Sequence, residues 1–156
     1  MSETVPNHRR ANELYRPLPD RLVQILEALE QRQVCPAGAC LVTRNVALQH
    51  VIIVRQGLVE VSVPAGNKHI SIDMAGAGKV FGVRSVISGE LPEINVACRE
   101  ECVIALLPRA DFLRVVRQNP QMYFAVARIL SADLMLAQQL IRQMPRAARS
   151  RPIHQA

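Results

Sequence analysis

The chain has 156 residues, of which 49% are apolar and only 3% aromatic, and its formal net charge is +6. This length suits a single domain with a hydrophobic core of its own, and no apolar run approaches the ~18 residues that would span a bilayer. The polar start of the chain lacks the apolar stretch of a signal peptide, so we expect a cytoplasmic protein rather than a secreted or membrane-spanning one.

The first part of the chain predicts an arm followed by a helix. Residues 1–16 carry charge and proline without any periodicity, which favours a disordered arm. After Pro19 and Asp20, leucine and isoleucine recur at spacings of three and four residues, as is typical of an amphipathic helix. Pro36 and Gly38 then end the helical region.

From Leu41 to Leu107 the pattern changes to short β-branched runs separated by turns. Val59, Val61 and Val63 alternate with polar residues, and this period of two places one face of a strand in a core and the other in water. Strands this short and evenly spaced predict a sandwich or a jelly-roll barrel.

A long helix is predicted from Pro120 to Met144, with Asn119 as its cap and a proline at its first position. One apolar stripe on it consists of Met122, Val126, Ile129, Leu136 and Leu140, and Asp133 interrupts this stripe. A second stripe, which we call the seam, has an unbroken heptad spacing and consists of Tyr123, Ala127, Leu130, Leu134, Ala137, Ile141 and Met144. A barrel covers only one stripe, so the seam predicts a homodimer through this helix. Residues 145–156 are basic and interrupted by proline, which predicts a disordered tail.

Residues 76–112 read GAGKVFGVRSVISGELPEINVACREECVIALLPRADF, which is a glycine turn, a strand, a second glycine turn, a short helical loop and a strand ending at Pro108. Together with Gly38, Gly57 and the long helix, this order resembles the cyclic-nucleotide-binding domain of the Crp/Fnr regulators. The resemblance covers residues 17–144. It implies a mainly β fold with flanking helices, namely a jelly-roll barrel with a long C-terminal dimerisation helix, and a regulatory rather than an enzymatic role.

In that family, the loop after the second glycine is the phosphate cassette, which opens Phe-Gly-Glu and closes Arg-Ser/Thr-Ala in the members that bind nucleotides. The matching candidate ligand-binding residues here are Gly82, Val83, Arg84, Ser85, Glu93, Ile94 and Asn95. By resemblance, Val83 replaces the glutamate that binds the ribose, and Glu93 replaces the arginine that neutralises the phosphate. A carboxylate repels a phosphodiester, and loss of the bidentate arginine alone removes about 2–3 kcal/mol. We therefore expect no cyclic nucleotide cofactor in the usual geometry.

Arg84 and Ser85 leave another ligand open, because an arginine and a hydroxyl beside free backbone amides could hold a different small anion. The alternative is that Arg84 is simply a solvated loop residue. The family's full-length regulators continue past the long helix into a winged helix-turn-helix domain. Here about a dozen residues follow Met144, so direct sequence-specific DNA binding is not expected.

The four cysteines, Cys35, Cys40, Cys98 and Cys102, form two pairs that lack the C-x2-C spacing of persuasive metal sites. We therefore expect no metal and interpret them as thiols that pack like small apolar residues. On one strand, the offset of four between Cys98 and Cys102 would put both on the same face.

Three functional hypotheses remain open. The leading one is a stand-alone regulatory sensor domain with a diverged cassette that signals through a dimer helix. The second is an interaction module without a ligand. The third is a redox or metal sensor that uses the cysteines.

Overall fold

The structure, a computed structural model, describes residues 12–143. In chain order the elements are α1 (Asp20–Leu29), β1 (Gln31–Cys35), β2 (Cys40–Val42), β3 (His50–Gln56), β4 (Val59–Ala65), β5 (Lys68–Ala75), β6 (Val80–Phe81), α2 (Val83–Ser88), β7 (Asn95–Cys98), β8 (Cys102–Pro108), α3 (Arg109–Gln118) and α4 (Gln121–Gln143). The predicted strand-rich block between two helical regions is therefore confirmed.

The strands form two four-stranded sheets with the orders β1-β8-β3-β6 and β2-β7-β4-β5. The strand pairs in both sheets are antiparallel. Consecutive strands such as β1 and β2, or β7 and β8, lie in different sheets, and this alternation between two sheets is that of a jelly roll. The predicted jelly-roll barrel with a long C-terminal helix is confirmed.

The strand β3, inside the first sheet, is buried on both faces, which explains its uninterrupted apolar run from Val51 to Val54. One face packs against the helices and forms the helix-facing core; its larger members include Leu14, Tyr15, Leu18, Leu26, Val51, Ile53, Leu107, Phe112 and Met122. The other face meets the second sheet and forms the barrel core; its members include Cys35, Val42, Ile52, Val54, Val59, Phe81, Val96, Cys98, Cys102 and Ile104. Alternate residues of β3 and β8 therefore pack in two different cores, one on each face of the sheet.

The N-terminal boundary of the domain lies earlier than the sequence predicted. Asn12 is buried, and its Oδ1 accepts hydrogen bonds from the backbone amides of Leu14 at 3.0 Å and Tyr15 at 2.9 Å. Leu14 and Tyr15 are both fully buried in the helix-facing core. The prediction of a disordered arm up to residue 16 is therefore wrong for residues 12–16. Individual side chains anchor this segment to the domain, and the segment is too short for a periodic pattern to reveal its burial. Residues 1–11 lie outside the described residues.

A buried ionic cluster joins this N-terminal segment to the barrel. The Glu30 carboxylate is only 1% exposed, accepts a hydrogen bond from the Tyr15 hydroxyl and pairs with the Arg55 guanidinium. Arg55 also lies over the ring of Tyr15, 5.6 Å from its centroid. Burial first, and the neighbouring Glu30 next, raise the pKa of Tyr15, so the phenol keeps its proton. The mostly exposed strand β1 follows directly. Its polar sequence did not predict a strand.

On α4, the described side chains of the first stripe are buried against the rest of the domain, as predicted. Met122, Val126 and Ile129 belong to the helix-facing core, together with Val83 and Val86 of α2. Met144 and the predicted tail at residues 145–156 lie outside the described residues, as do the side chains of Leu136, Ala137 and Leu140. Within residues 12–143, no helix is long and apolar enough to cross a membrane.

Candidate functional site

The candidate cassette begins at a glycine that the local geometry requires. Gly82 has φ 91°, in the left-handed region, and it lies at the N-terminal end of α2. A Cβ added there would lie 3.0 Å from Leu48 Cδ1 and 3.1 Å from the backbone oxygen of His50. A side chain at this position would therefore be strained by the backbone conformation and would require its neighbours to move by a few tenths of an ångström. Gly89, with φ 78°, lies seven residues after Gly82 and ends the helix.

Val83, which we predicted to stand in place of the family's ribose-binding glutamate, belongs to the helix-facing core. Its side chain is 2% exposed and packs in the same apolar cluster as Val86 and Met122. It is not part of the barrel core. A carboxylate introduced here would enter an apolar environment, where it would lose its hydration without gaining a charged partner.

Arg84 and Ser85, the candidates for an anion site, differ in exposure. Ser85 is buried at 8% exposure, whereas the half-exposed Arg84 guanidinium lies 3.5 Å from the carboxylate of Glu90. Arg84 also acts on Asp133 of α4: burial raises the pKa of Asp133, and the positive charges of Lys79 and Arg84 oppose that rise. The positive charge of Arg84 thus faces two carboxylates of the chain itself.

The closing positions of the cassette lie at the start of β7. Glu93 is exposed, and Ile94 packs partly against the barrel core. The Oδ1 atom of Asn95 accepts a hydrogen bond from the backbone amide of Arg44 at 2.9 Å, so Asn95 joins β7 to the end of β2. The three closing side chains supply no positive charge for a phosphate.

A cavity of about 250 Å³ lies beside the cassette, between the two sheets. Its apolar wall consists of Ala39, Leu41, Leu48, Ile52, Ile104 and Leu106. The lining residues with polar side chains are Gln33, Cys35, Cys40 and His50. Leu48 therefore contacts both the cavity and the position of Gly82. Sequence reasoning missed this cavity, because its lining comes from β1, β2, β3, β8 and the turns beside them.

Three of the four cysteines, Cys35, Cys98 and Cys102, are buried together in the barrel core. Cys35 lies opposite Cys102 in the β1–β8 pair. Cys98 ends β7 and Cys102 begins β8, so the two cysteines lie on different strands in different sheets. Burial raises the pKa of Cys35, and burial together with the neighbouring Cys102 raises the pKa of Cys98 to about 12. Among the described residues, no group of three or more His, Cys, Asp or Glu side chains could hold a metal ion.

The described part of the seam is largely exposed on the single chain. Tyr123 is 58% exposed and Leu134 59%, and Ile141 and Ala127 are also exposed, whereas Leu130 packs partly against the helix-facing core. Two further apolar side chains, Phe124 and Met135, are equally exposed on the neighbouring face of α4. Neither residue belongs to the seam. Their spacing of eleven residues, three full helical turns, was the signal that could have found them.

Comparison with solved structures shows the same fold in several regulators. The Catabolite Activator Protein of Thermus thermophilus superimposes with a TM-score of 0.75 at 21% identity, over 84% of this chain and 62% of that chain. The N-terminal domain of a transcriptional regulator from Streptomyces coelicolor A3(2) matches with a TM-score of 0.68 at 16% identity, over 86% and 94%. The regulatory domain of Toxoplasma gondii PKA, crystallised with cAMP, matches with a TM-score of 0.66 at 18% identity, over 73% and 44%.

At these identities the likeness establishes the fold alone, and the chain spans less than two thirds of the Thermus protein. No curated protein matches the sequence of the chain. The family described as the cyclic nucleotide-binding domain, however, matches residues 32–119, which is more than half of the chain. The chain therefore belongs to the cyclic nucleotide-binding domain family, and its fold is that of the Crp/Fnr-type regulators.

Proposed function

We propose that this domain is a non-catalytic, cytoplasmic sensor module that works as a homodimer through α4 and does not bind cyclic nucleotides in the family's usual geometry. The burial of Val83 in the helix-facing core is the observation that carries this proposal. The position that would bind the ribose holds an apolar side chain, and the position that would neutralise the phosphate holds the exposed Glu93. Binding of a nucleotide would thus lose both of its principal polar contacts.

The contacts between the cassette and α4 support a signalling role. The helix α2 packs against α4, and Val83 and Val86 share their apolar cluster with Val126. The Nζ atom of Lys79, in the turn before β6, lies 3.9 Å from Oδ1 of Asp133 in α4 and 3.8 Å from Oε1 of Glu13. A displacement of the cassette would therefore change both an apolar and an ionic contact with the helix that carries the seam.

Titration calorimetry with cyclic AMP and cyclic GMP tests the ligand part of this proposal. We expect no saturable heat at micromolar nucleotide. Glu93→Arg should raise the affinity about tenfold or more, because it replaces a repulsive charge with a charge-assisted contact. The matched control is Glu100→Arg, which makes the same charge change at an exposed turn between β7 and β8. A stoichiometric isotherm for the unmodified protein would contradict the proposal.

Sedimentation velocity tests the dimer. Leu134→Glu places a charge in the middle of the seam, and an unpaired charge buried in an interface costs several kcal/mol, so the variant should be monomeric. Leu134 is exposed on the single chain, so the fold itself should persist. Gln139→Glu, which adds the same charge on another exposed face of α4, should remain dimeric. A dimer that survives Leu134→Glu would show that the seam is not the interface.

The two alternative functions predict different outcomes. A ligand-free interaction module would keep the dimer but bind nothing in the cavity. A redox sensor would need a reactive thiolate, and the raised pKa values of Cys35 and Cys98 weigh against it, because a buried protonated thiol is a poor nucleophile. An anion held at Arg84 would have to displace Glu90, its partner at 3.5 Å.

A further inference from the structure

We propose that the cavity between the sheets is a binding site for a small, uncharged and largely apolar molecule, separate from the phosphate cassette. Among the residues that the structure describes, its lining comes from β1, β2, β3, β8 and the turns beside them, and not from the cassette or α4. The inference rests on the proposed sensor function only in treating the bound molecule as a signal. Binding itself is argued from the chemistry of the cavity.

The lining residues favour a neutral molecule. Lysine, arginine, aspartate and glutamate are missing from the residues that line this cavity. An ion that entered it would lose its hydration without gaining a partner of opposite charge, which is strongly unfavourable. Its polar lining atoms belong to an amide, an imidazole and two thiols, and these groups can exchange hydrogen bonds with a neutral hydroxyl, carbonyl or N–H group.

The volume of the cavity limits the size of the molecule that could bind there. An apolar cavity of about 150 Å³ accommodates benzene, so about 250 Å³ is sufficient for a molecule of fused-ring size. This volume is slightly below the usual range for sites of drug-sized ligands. The intact nucleotide expected in a typical family member would also bring a negative charge into this lining.

The distribution of polar groups orients the molecule. Gln33 and Cys40 are exposed and therefore lie at the mouth, whereas Cys35 and Ile104 are buried at the inner end. The Cys40 thiol is close to the Val42 carbonyl at 3.3 Å and to the Thr43 hydroxyl at 3.2 Å. A bound molecule would therefore place its apolar part inward and its polar group towards Gln33.

Leu48 connects the cavity to the cassette. Its Cδ1 lies 3.0 Å from the place where a Cβ on Gly82 would be, so the leucine occupies the space beside the glycine. Gly82 is the N-cap of α2, and α2 packs against α4. A molecule that moves Leu48 therefore acts on the residue immediately before α2, the helix that contacts α4.

Indole tests the binding site directly. The chain has no tryptophan, so indole emission can be followed with only two tyrosines as background. We expect a saturable shift of the emission to shorter wavelength with the parent protein. Indole-3-carboxylate, which has the same ring with a negative charge, should bind at least tenfold more weakly.

Variants locate the site. Ala39→Phe, in the cavity wall, should weaken indole binding at least tenfold, whereas Ala37→Phe, in the exposed turn outside the lining, should bind like the parent. The smaller Ala39→Leu change provides the same test if the phenylalanine variant does not fold. At saturating indole, Leu48→Ala should lose the slowing of amide exchange in α2 that indole causes in the parent.

Three outcomes would overturn the proposal: no saturable shift with folded parent protein, equal binding of indole and its carboxylate, or full binding by both Ala39 variants. Sedimentation of the same samples separates this inference from the proposed function. A dimer that does not bind indole disproves the cavity site alone, and a monomer that binds indole disproves the dimeric sensor alone.

Discussion

The two faces of the sheet β1-β8-β3-β6 differ in how completely they are filled. On the helix-facing side, large side chains such as Tyr15, Phe112 and Met122 are fully buried against the sheet. On the barrel side, the core consists mainly of valines, isoleucines and cysteines, and a cavity of about 250 Å³ remains between the sheets. The comparison indicates that one face of this sheet stabilises the domain while the other leaves room for a ligand.

The buried polar groups differ in the same way. The helix-facing side has a charged cluster in which Glu30 binds Tyr15 and Arg55. The barrel side has the thiols of Cys35, Cys98 and Cys102 instead. Buried charges are stable only while they are paired, whereas neutral thiols pack as small apolar groups. Disrupting the first set should therefore cost more stability than disrupting the second.

The largest difference is expected from two neighbouring leucines of β8. Leu107→Ala removes a fully buried side chain from the helix-facing core and should lower the free energy of unfolding by about 3–4 kcal/mol. Leu106→Ala changes a partly buried side chain that already borders the cavity, so its cost should be about 1 kcal/mol. Urea denaturation measures both values. Equal costs would contradict the unequal filling of the two faces.

Glu30→Ala should cost about 3 kcal/mol, because it leaves the guanidinium of Arg55 buried without its partner and the Tyr15 hydroxyl without its acceptor. Arg32→Ala is the matched control: Arg32 is more than half exposed, and its Nε lies 3.3 Å from Glu30, so its loss should cost less than about 1 kcal/mol. Adding Arg55→Met to Glu30→Ala should restore part of the stability. Urea denaturation measures these values as well. Equal stability of Glu30→Ala and Arg32→Ala would contradict the assignment of Glu30 as the essential partner of Arg55.

The barrel thiols should make the protein less stable at alkaline pH. Burial raises the pKa of Cys98 from 9.0 to about 12, so between these values the folded state keeps a proton that the unfolded state loses. Stability should therefore fall as the pH rises through this window, by at most about 1.4 kcal/mol per pH unit. Cys98→Ala should flatten the curve, whereas Cys40→Ala, at an exposed position outside the thiol cluster, should not. Thermal unfolding between pH 8 and 11 measures this dependence, and identical curves for the parent and Cys98→Ala would refute it.

The smallest effect is expected at Asp133 of α4. Burial raises its folded-state pKa above the ordinary value of 3.8, so stability should fall slightly as the pH rises through the range just above that value. The carboxylate is half exposed and lies 3.9 Å from Lys79, so solvent screening keeps the net effect of Asp133→Asn well below 1 kcal/mol. In thermal unfolding, the melting temperature of the variant should change less with pH in the acid range than that of the parent. A large loss of stability would mean that the contact with Lys79 holds α4 in place.

Much of the fold could be predicted because its signals are local. The alternation of apolar and polar residues in β4 and the glycines that separate the strands can each be seen in a few consecutive residues. The order of these strands and turns along the chain was sufficient to identify the family. The two stripes of α4 follow in the same way from its helical period. Met122 and Val126 are buried as predicted, and Tyr123 and Leu134 are exposed. The cassette could also be located by its glycine, Gly82, whose left-handed conformation was expected for a tight turn.

The remaining features depend on which distant segments meet. Leu14 and Tyr15 are buried because the N-terminal segment packs on the helix-facing core, and no local pattern reveals that contact. Cys35 lies near Cys102 because β1 pairs with β8, and Val83 faces the helices because of the direction in which α2 leaves Gly82. The cavity exists because side chains from strands distant in the chain leave a gap between two sheets. The sequence by itself thus determined the elements and the family. Only the tertiary packing decided which side chains line the cavity, because strand register and the contacts between the sheets depend on the whole chain.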